Sequence, residues 1–311
     1  MKAKTYMMLF LCGGMAFAGT GCTSENTPEN KTAQTRHLTI TMTDAAGAPI
    51  QRLPNATITD EGTTLLGKWT AGDKVSYCNL SRTSTSSEDV ITGTLTAMST
   101  GVKSDLEGDV NCTAGDYLAV VYPAADMSAS TYTPGDGVHG KFTISLAGQD
   151  GSLSTLATHY HYVYGRAHVD AVTGTTATAT MDKMESLLTV CKFSFVDKNA
   201  PDIALPSHTL TISYGGSGSD AGKYPQTATV EVTNLTTNEE AQAVGVSGSE
   251  ALTINAGGAT EVYVALLPTT ASRMYNFMVT NANGSYNGTA EALLKKGEYV
   301  IAANLKLAAN L

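Results

Sequence analysis

Charge is scarce in this chain of 311 residues: only 15% of positions are Asp, Glu, Lys or Arg, and the balance is acidic, with a formal net charge of −9. That deficit of cations gives no basic face for nucleic acid or for an anionic membrane surface. The sequence holds one tryptophan and five cysteines, and no HExxH, GxSxG or paired CxxC. Zinc-protease, nucleophile-elbow and zinc-ribbon chemistries therefore lack their residues, and nothing calls for a cofactor, a metal or an enzymatic function. Strong helical patterning is missing too. What is plentiful is Thr, Ser, Ala and Gly within a chain that is 42% apolar, the composition of a globular, turn-rich all-β protein rather than a disordered one. The length suits about two domains.

Residues 1–21 stand apart from the fold. Lys2 and Lys4 precede the apolar stretch "MMLFLCGGMAFAG", and the small residues of "GTG" lead to Cys22. The stretch is too short and too broken by glycine to span a bilayer comfortably. It resembles a bacterial lipoprotein signal peptide, which implies that the Cys22 thiol is lipidated and becomes the new N-terminus; Gly19 departs from the aliphatic residue usual three positions before the cysteine. Two or three acyl chains at ~0.8 kcal/mol per buried CH₂ would anchor the chain to an envelope membrane. Residues 22–36, "CTSENTPENKTAQTR", lack large apolar side chains and read as a flexible tether. Of the remaining cysteines, Cys191 lies on the apolar face of "LLTVCKFSF" and reads as a small core residue. Cys78 and Cys112 are the one pair left that could form a disulfide.

Period-2 alternation and short apolar runs mark strands at 38–43, 74–80, 90–98, 117–122, 141–146, 160–164 and 175–180, and again at 187–196, 208–214, 227–233, 261–267, 274–280 and 298–307. "TAGD", "PGDG", "GGSGSD", "NAGG" and "NANG" punctuate them as turns. Between the two sets, "MDKMESLL" at 181–188 reads as a short helix, so the domain boundary is set there, with sandwiches expected at 37–180 and 181–311.

Few stretches suggest chemistry. "GSDAGKY" at 218–224 has the look of a phosphate loop, but it has three residues between its glycines and places Tyr224 where a Mg²⁺-binding hydroxyl belongs; it reads as a hairpin loop. In "HYHYVYGRAH", an extended chain puts His159, His161 and Val163 on one face and Tyr160, Tyr162 and Tyr164 on the other. The histidines, with His168, sketch a metal site without a neighbouring acid. The tyrosines, or Trp69, sketch a stacking platform for sugar, which is the alternative reading of a surface glycan-binding lipoprotein; the plainer reading makes the tyrosines and Trp69 core residues and leaves the histidines facing water.

Several landmarks together resemble the fimbrillin-like proteins, the subunits and accessory proteins of type V pili of Bacteroidia. These are the lipoprotein signal, "HLTITMT" at 37–43, Arg52, "WTAGDKV" at 69–75, "YLAVVYP" at 117–123, "YVYGRAHV" at 162–169, "MDKMESLLTVCKFSF" at 181–195 and "LKKGEYVIAANLKL" at 294–307. The resemblance implies two tandem transthyretin-like Greek-key β-sandwiches, delivered to the outer membrane as a lipoprotein. It also implies cleavage by an arginine-specific protease after the first strand, whose departure leaves a groove for a strand of a neighbouring subunit. On this analogy the removable strand carries Leu38, Ile40 and Met42, and cleavage falls at Arg52, with Arg36 the alternative. The last strand, with Tyr299, Ile301, Ala303, Leu305 and Leu307, is the candidate donor; otherwise the chain passes no strand onward and acts as an accessory, tip or anchor subunit. Partners would be other pilus subunits, the outer membrane through the lipid, and an adhesion ligand on a host or bacterial surface.

Overall fold

A computed structural model of the protein describes residues 34–42, 57–81, 91–129, 139–233 and 242–310. The lipidation candidate Cys22 and the cleavage candidate Arg52 lie outside them. The described chain is almost wholly β. Its first half runs β1 (Gln34–Met42), β2 (Thr57–Asp60), β3 (Leu65–Lys68), β4 (Lys74–Asn79), β5 (Thr92–Ala97), β6 (Leu106–Cys112), β7 (Tyr117–Tyr122), β8 (Ser128–Ala129), β9 (His139–Ser145), β10 (Val163–Thr173) and β11 (Thr176–Ser186). The second half follows with β12 (Thr189–Asp197), β13 (Ala200–Ala204), β14 (Thr209–Tyr214), β15 (Thr227–Thr233), β16 (Gln242–Ser247), β17 (Leu252–Ile254), β18 (Val262–Leu266), β19 (Arg273–Asn281), β20 (Gly284–Ala292) and β21 (Tyr299–Ala309). Among the described residues no helix is long and apolar enough to cross a membrane.

Two cores organise these strands. Strands β1-β11-β10-β7-β4-β5-β6 close on themselves as a barrel around Leu38, Ile40, Trp69, Val75, Leu95, Val120 and Met181. The second core gathers an eight-stranded sheet, ordered β13-β12-β21-β20-β19-β14-β17 with β18 also on β12, and a four-stranded sheet β16-β15-β9-β8. A Phe193, Phe195 and Phe277 cluster, with ring centroids 5.2 to 6.0 Å apart, lies within it.

The cores share a wall. In β7, Leu118 and Val120 belong to the barrel core while Ala119 and Val121 belong to the second core; in β4, Val75 and Tyr77 face the first and Cys78 the second. That is why "YLAVVY" and "VSYCN" are continuous buried runs rather than alternating ones. Gly140 of β9 belongs to the same junction: a Cβ there would come within 2.9 Å of Val232 and 3.1 Å of Cys78, so only a bare backbone fits between β4 and β15.

The arrangement departs from the sequence reading in three places. Residues 181–186 are not helical but continue β11, where Met181 and Met184 are buried in the barrel. The expected cut between residues 180 and 181 thus falls inside a strand, and β9, from its N-terminal side, pairs along its length with β15 on the other. Residues 160–162 are not extended: a helical turn at Leu153–Thr155, capped by the Ser152 hydroxyl, runs into a wider turn at Leu156–Tyr160.

Candidate functional site

The first strand is built into the barrel as its closing stave. β1 lies parallel to β11, with Leu38 opposite Ala177 and Ile40 opposite Ala179, and antiparallel to β6, with Leu38 opposite Gly108 and Ile40 opposite Leu106. The alternation of "HLTITM" points Leu38 and Ile40 inward, both 0% exposed, with Met42 partly buried against the same core. Burial of Leu38 and Ile40 is worth ~1.5 to 3 kcal/mol each, a sizeable share of the ~5 to 15 kcal/mol that holds an ordinary domain folded. Without β1, strands β6 and β11 become open edges, each with a row of backbone groups lacking partners, beside an apolar slot.

Polar contacts fix the start of this strand. The Arg36 guanidinium donates to the carbonyls of Gly174 at 3.2 Å and Gln34 at 3.1 Å, and also to that of Cys112. On the solvent side His37 lies between Glu107 and Asp109 of β6, 3.5 Å from each. Arg36 is itself a strand residue, opposite Val110; a protease would reach its peptide bond only after the strand had separated from the barrel. Residues 43–56, which contain Arg52, connect β1 to β2 and lie outside the described residues.

The last strand occupies a related slot in the other core, between β12, to which it is parallel, and β20, to which it is antiparallel. Its five candidate residues do not share one face. A bulge between Ala302 and Leu305, with Asn304 at φ 56° and its N–H donated to the Ser194 hydroxyl at 2.9 Å, shifts the alternation by one residue. Val300, Ala302 and Leu305 therefore pack against the core and Leu307 is buried, while Ile301, 45% exposed, and Ala303 face outward.

The aromatic and histidine clusters dissolve on folding. Trp69 is fully buried, edge-on to Tyr122 at 5.8 Å, and Tyr162 is 9% exposed. Tyr160 and Tyr164 pack partly buried against the second core, and the Tyr160 hydroxyl donates to the Ala147 carbonyl at 2.9 Å. Trp69, Tyr160, Tyr162 and Tyr164 therefore form no exposed row of rings for a sugar. His161 is enclosed, and burial pulls its pKa down to about 4, whereas His168 stands on β10 beside the Tyr117 ring and 3.0 Å from Asp170. Among the described residues no group of three or more His, Cys, Asp or Glu side chains is placed to hold a metal. Tyr224, at the end of the glycine-rich loop, is buried and its hydroxyl accepts from the Leu267 N–H at 3.0 Å. Cys78 and Cys112 form no disulfide and sit in different cores; burial pushes the Cys78 and Cys191 thiols up to about 12, so these two are inert fillers.

One polar centre escaped the sequence reading. Lys192 interrupts the apolar run of β12, a signal that an acid must lie nearby, and that acid is Asp60 at the end of β2, 2.9 Å away. Burial works against ionisation of Asp60, but hydrogen bonds from Tyr263, Lys192, the Gly62 N–H and Tyr299 outweigh it and bring the pKa down to about 2.

No family model matches the chain, and no curated protein does. Among solved structures, a proposed cell adhesion protein from Bacteroides eggerthii is similar over 87% of this chain and 86% of its own, at 13% identity and a TM-score of 0.35. A variant of the shaft pilin SpaA from Lactobacillus rhamnosus GG is similar over 90% of this chain and 99% of its own, at 13% identity and a TM-score of 0.34.

Proposed function

We propose that the chain is a structural or adhesive subunit of a cell-surface pilus, exported as an outer-membrane lipoprotein through Cys22 and assembled by protease-triggered strand exchange. The observation that carries this reading is the placement of β1. A single N-terminal strand with two fully buried side chains closes a barrel between two neighbours, and it is tied to the rest of the chain by the polar, Gly- and Pro-containing stretch 43–56. Cutting that stretch at Arg52 turns an intramolecular strand into a dissociable one. Its slot then accepts an apolar-alternating strand from a neighbour by main-chain pairing and side-chain pockets. The arginine inside β1, Arg36, is shielded by its pairing and serves less well as the cutting point. The glycan-binding alternative keeps only the partly exposed rings of Tyr160 and Tyr164, since Trp69 and Tyr162 are buried.

The test treats the chain from residue 23 with an arginine-specific protease and follows fragment masses and oligomer size. Cutting at Arg52 is expected first, with the severed strand initially retained, followed by oligomers once an exchanging strand is supplied. Arg52→Ala should block both steps while leaving the monomer folded. Cleavage that unfolds the barrel without any gain of strand binding would overturn the proposal.

A further inference from the structure

The hairpin β2–β3 belongs to neither main sheet, yet one side chain at its tip reaches three strands of the second core. Asp60 Oδ2 accepts from Lys192 Nζ of β12 at 2.9 Å, from the Tyr263 hydroxyl of β18 at 2.7 Å and from the Tyr299 hydroxyl of β21 at 3.1 Å, while Oδ1 accepts from the Gly62 N–H at 2.8 Å. Lys192 is held from its other side by Glu261 at 3.0 Å and lies 5.6 Å from the centre of the Tyr263 ring. Asp60 and Lys192 are both largely enclosed, their side chains 13% and 18% exposed. Bonds to an ionised acceptor in such a setting are the strong kind.

Tyr299 is the first residue of the C-terminal strand, whose near half is paired along one edge only, with β12 from Val190–Tyr299 to Phe193–Ala302. Its one fully buried side chain, Leu307, lies near the far end. Its regular pairing with β20 is confined to Tyr286–Ala309 and Asn287–Ala308, also at the far end. At the near end β21 relies on β12 and on Asp60.

We propose that Asp60 is a latch that couples the two ends of the molecule, so that the hairpin following the first strand and the start of the C-terminal strand dock and release as one event. Asp60 lies eight positions after Arg52 and the strand it retains is the candidate donor; loosening of the hairpin then frees the start of β21. Coupling of this kind is reciprocal: a freed β21 loosens the hairpin in turn. The use of the latch in assembly rests on the strand-exchange reading, whereas the latch itself does not.

Hydrogen–deuterium exchange of the uncut full chain, resolved by peptide, tests it. Asp60→Ala should speed exchange at 57–68 and at 299–303 together, by about 10-fold or more, and leave 38–42 of the barrel unchanged. Tyr299→Phe removes one hydroxyl and should speed both segments by about 3-fold, the hairpin responding to a change made only on the strand. If Asp60→Ala does not fold, Asp60→Asn, which keeps the shape and loses the charge, decides by the same two segments. Acceleration at 57–68 alone, acceleration of 38–42 as well, or no change at 299–303 would overturn the latch. None of these outcomes bears on whether Arg52 is cut, and failure of Arg52 cleavage leaves the exchange pattern untouched.

Discussion

The strands β1 and β21 each have one parallel and one antiparallel neighbour, but β1 is paired along both edges while β21 meets its antiparallel neighbour at two residues only, and the two are held by different forces. β1 carries two fully buried aliphatic side chains within nine residues and keeps a strict alternation; its polar contacts are at the margins. β21 spreads one fully buried side chain over eleven residues, breaks its alternation at Asn304, and is fixed at its start by a carboxylate. Apolar burial is non-directional and accepts any strand with the right spacing, while a hydrogen-bonded ionic centre accepts only the residues that made it. The difference suits β1 to a slot that is refilled by another chain and β21 to a strand retained by a specific contact.

The comparison can be broken most severely by separating the halves. Residues 181–311 alone lack β9 and with it Phe142 and Ile144, as well as the wall provided by Cys78, Ala119 and Val121. This fragment is expected to show no cooperative transition in urea; a sigmoidal transition would mean that the slot of β21 forms without the barrel. A second test sets the two strands side by side. Ile40→Ala should lower stability by ~2 to 5 kcal/mol, as for a buried aliphatic residue, whereas Ile301→Ala should change it by ~0.5 kcal/mol or less, as for a surface site. Chemical denaturation of both variants checks this, and equal losses would deny the contrast.

Acid sharpens the comparison through the junction of the cores. His161, just before β10, has a folded pKa of about 4 because burial disfavours its charged form, against ~6.5 in the unfolded chain. The unfolded state therefore binds more protons between these values. The stabilisation is complete above pH ~6.5 and declines as the pH falls toward 4, by up to ~3 kcal/mol. Asp60 acts lower, between ~3.9 and about 2, since its folded pKa is depressed and its contribution is lost as the pH falls through that window. Stability measured from pH 7 to 4 should fall more steeply in wild type than in His161→Gln. Parallel slopes would place the titrating group elsewhere.

The strands most legible in the sequence were those whose neighbours enforce simple rules. "HLTITM" alternates because one face of β1 meets the barrel core and the other meets water, and "YLAVVY" is continuous because β7 has a core on each side. The misreadings have physical causes as well. Met181, Met184, Leu187 and Leu188 have helical spacing, but an irregularity in the β10–β11 pairing at Gly165/Ala167, opposite Met184 and Met181, lets a strand bury both methionines. "HYHYVY" alternates like a strand, while the turn that takes Tyr160 out of line is announced upstream, by Asp150 and the Ser152 cap of "DGSLST". The bulge at Asn304 moved Ile301 and Ala303 to the outer face, and a simple period of two cannot register such an insertion. Neither the partner of Lys192 nor the parallel neighbour of β1 has a local signal, because each depends on residues more than a hundred positions away.

The parallel alignment of β1 with β11 has a mechanical consequence. Six consecutive residue pairs, His37–Thr176 through Met42–Met181, lie side by side in register, with β6 paired along the opposite edge. A strand in that slot, pulled along its own axis, strains the bonds on both edges at the same time, in shear, and slides only when many of them give way together. A strand peeled from one end yields its bonds one after another at much lower force. On the strand-exchange proposal, a fibre joined through such slots would resist tension along its length without any covalent tie between subunits, and would come apart most easily when its joints are pulled sideways.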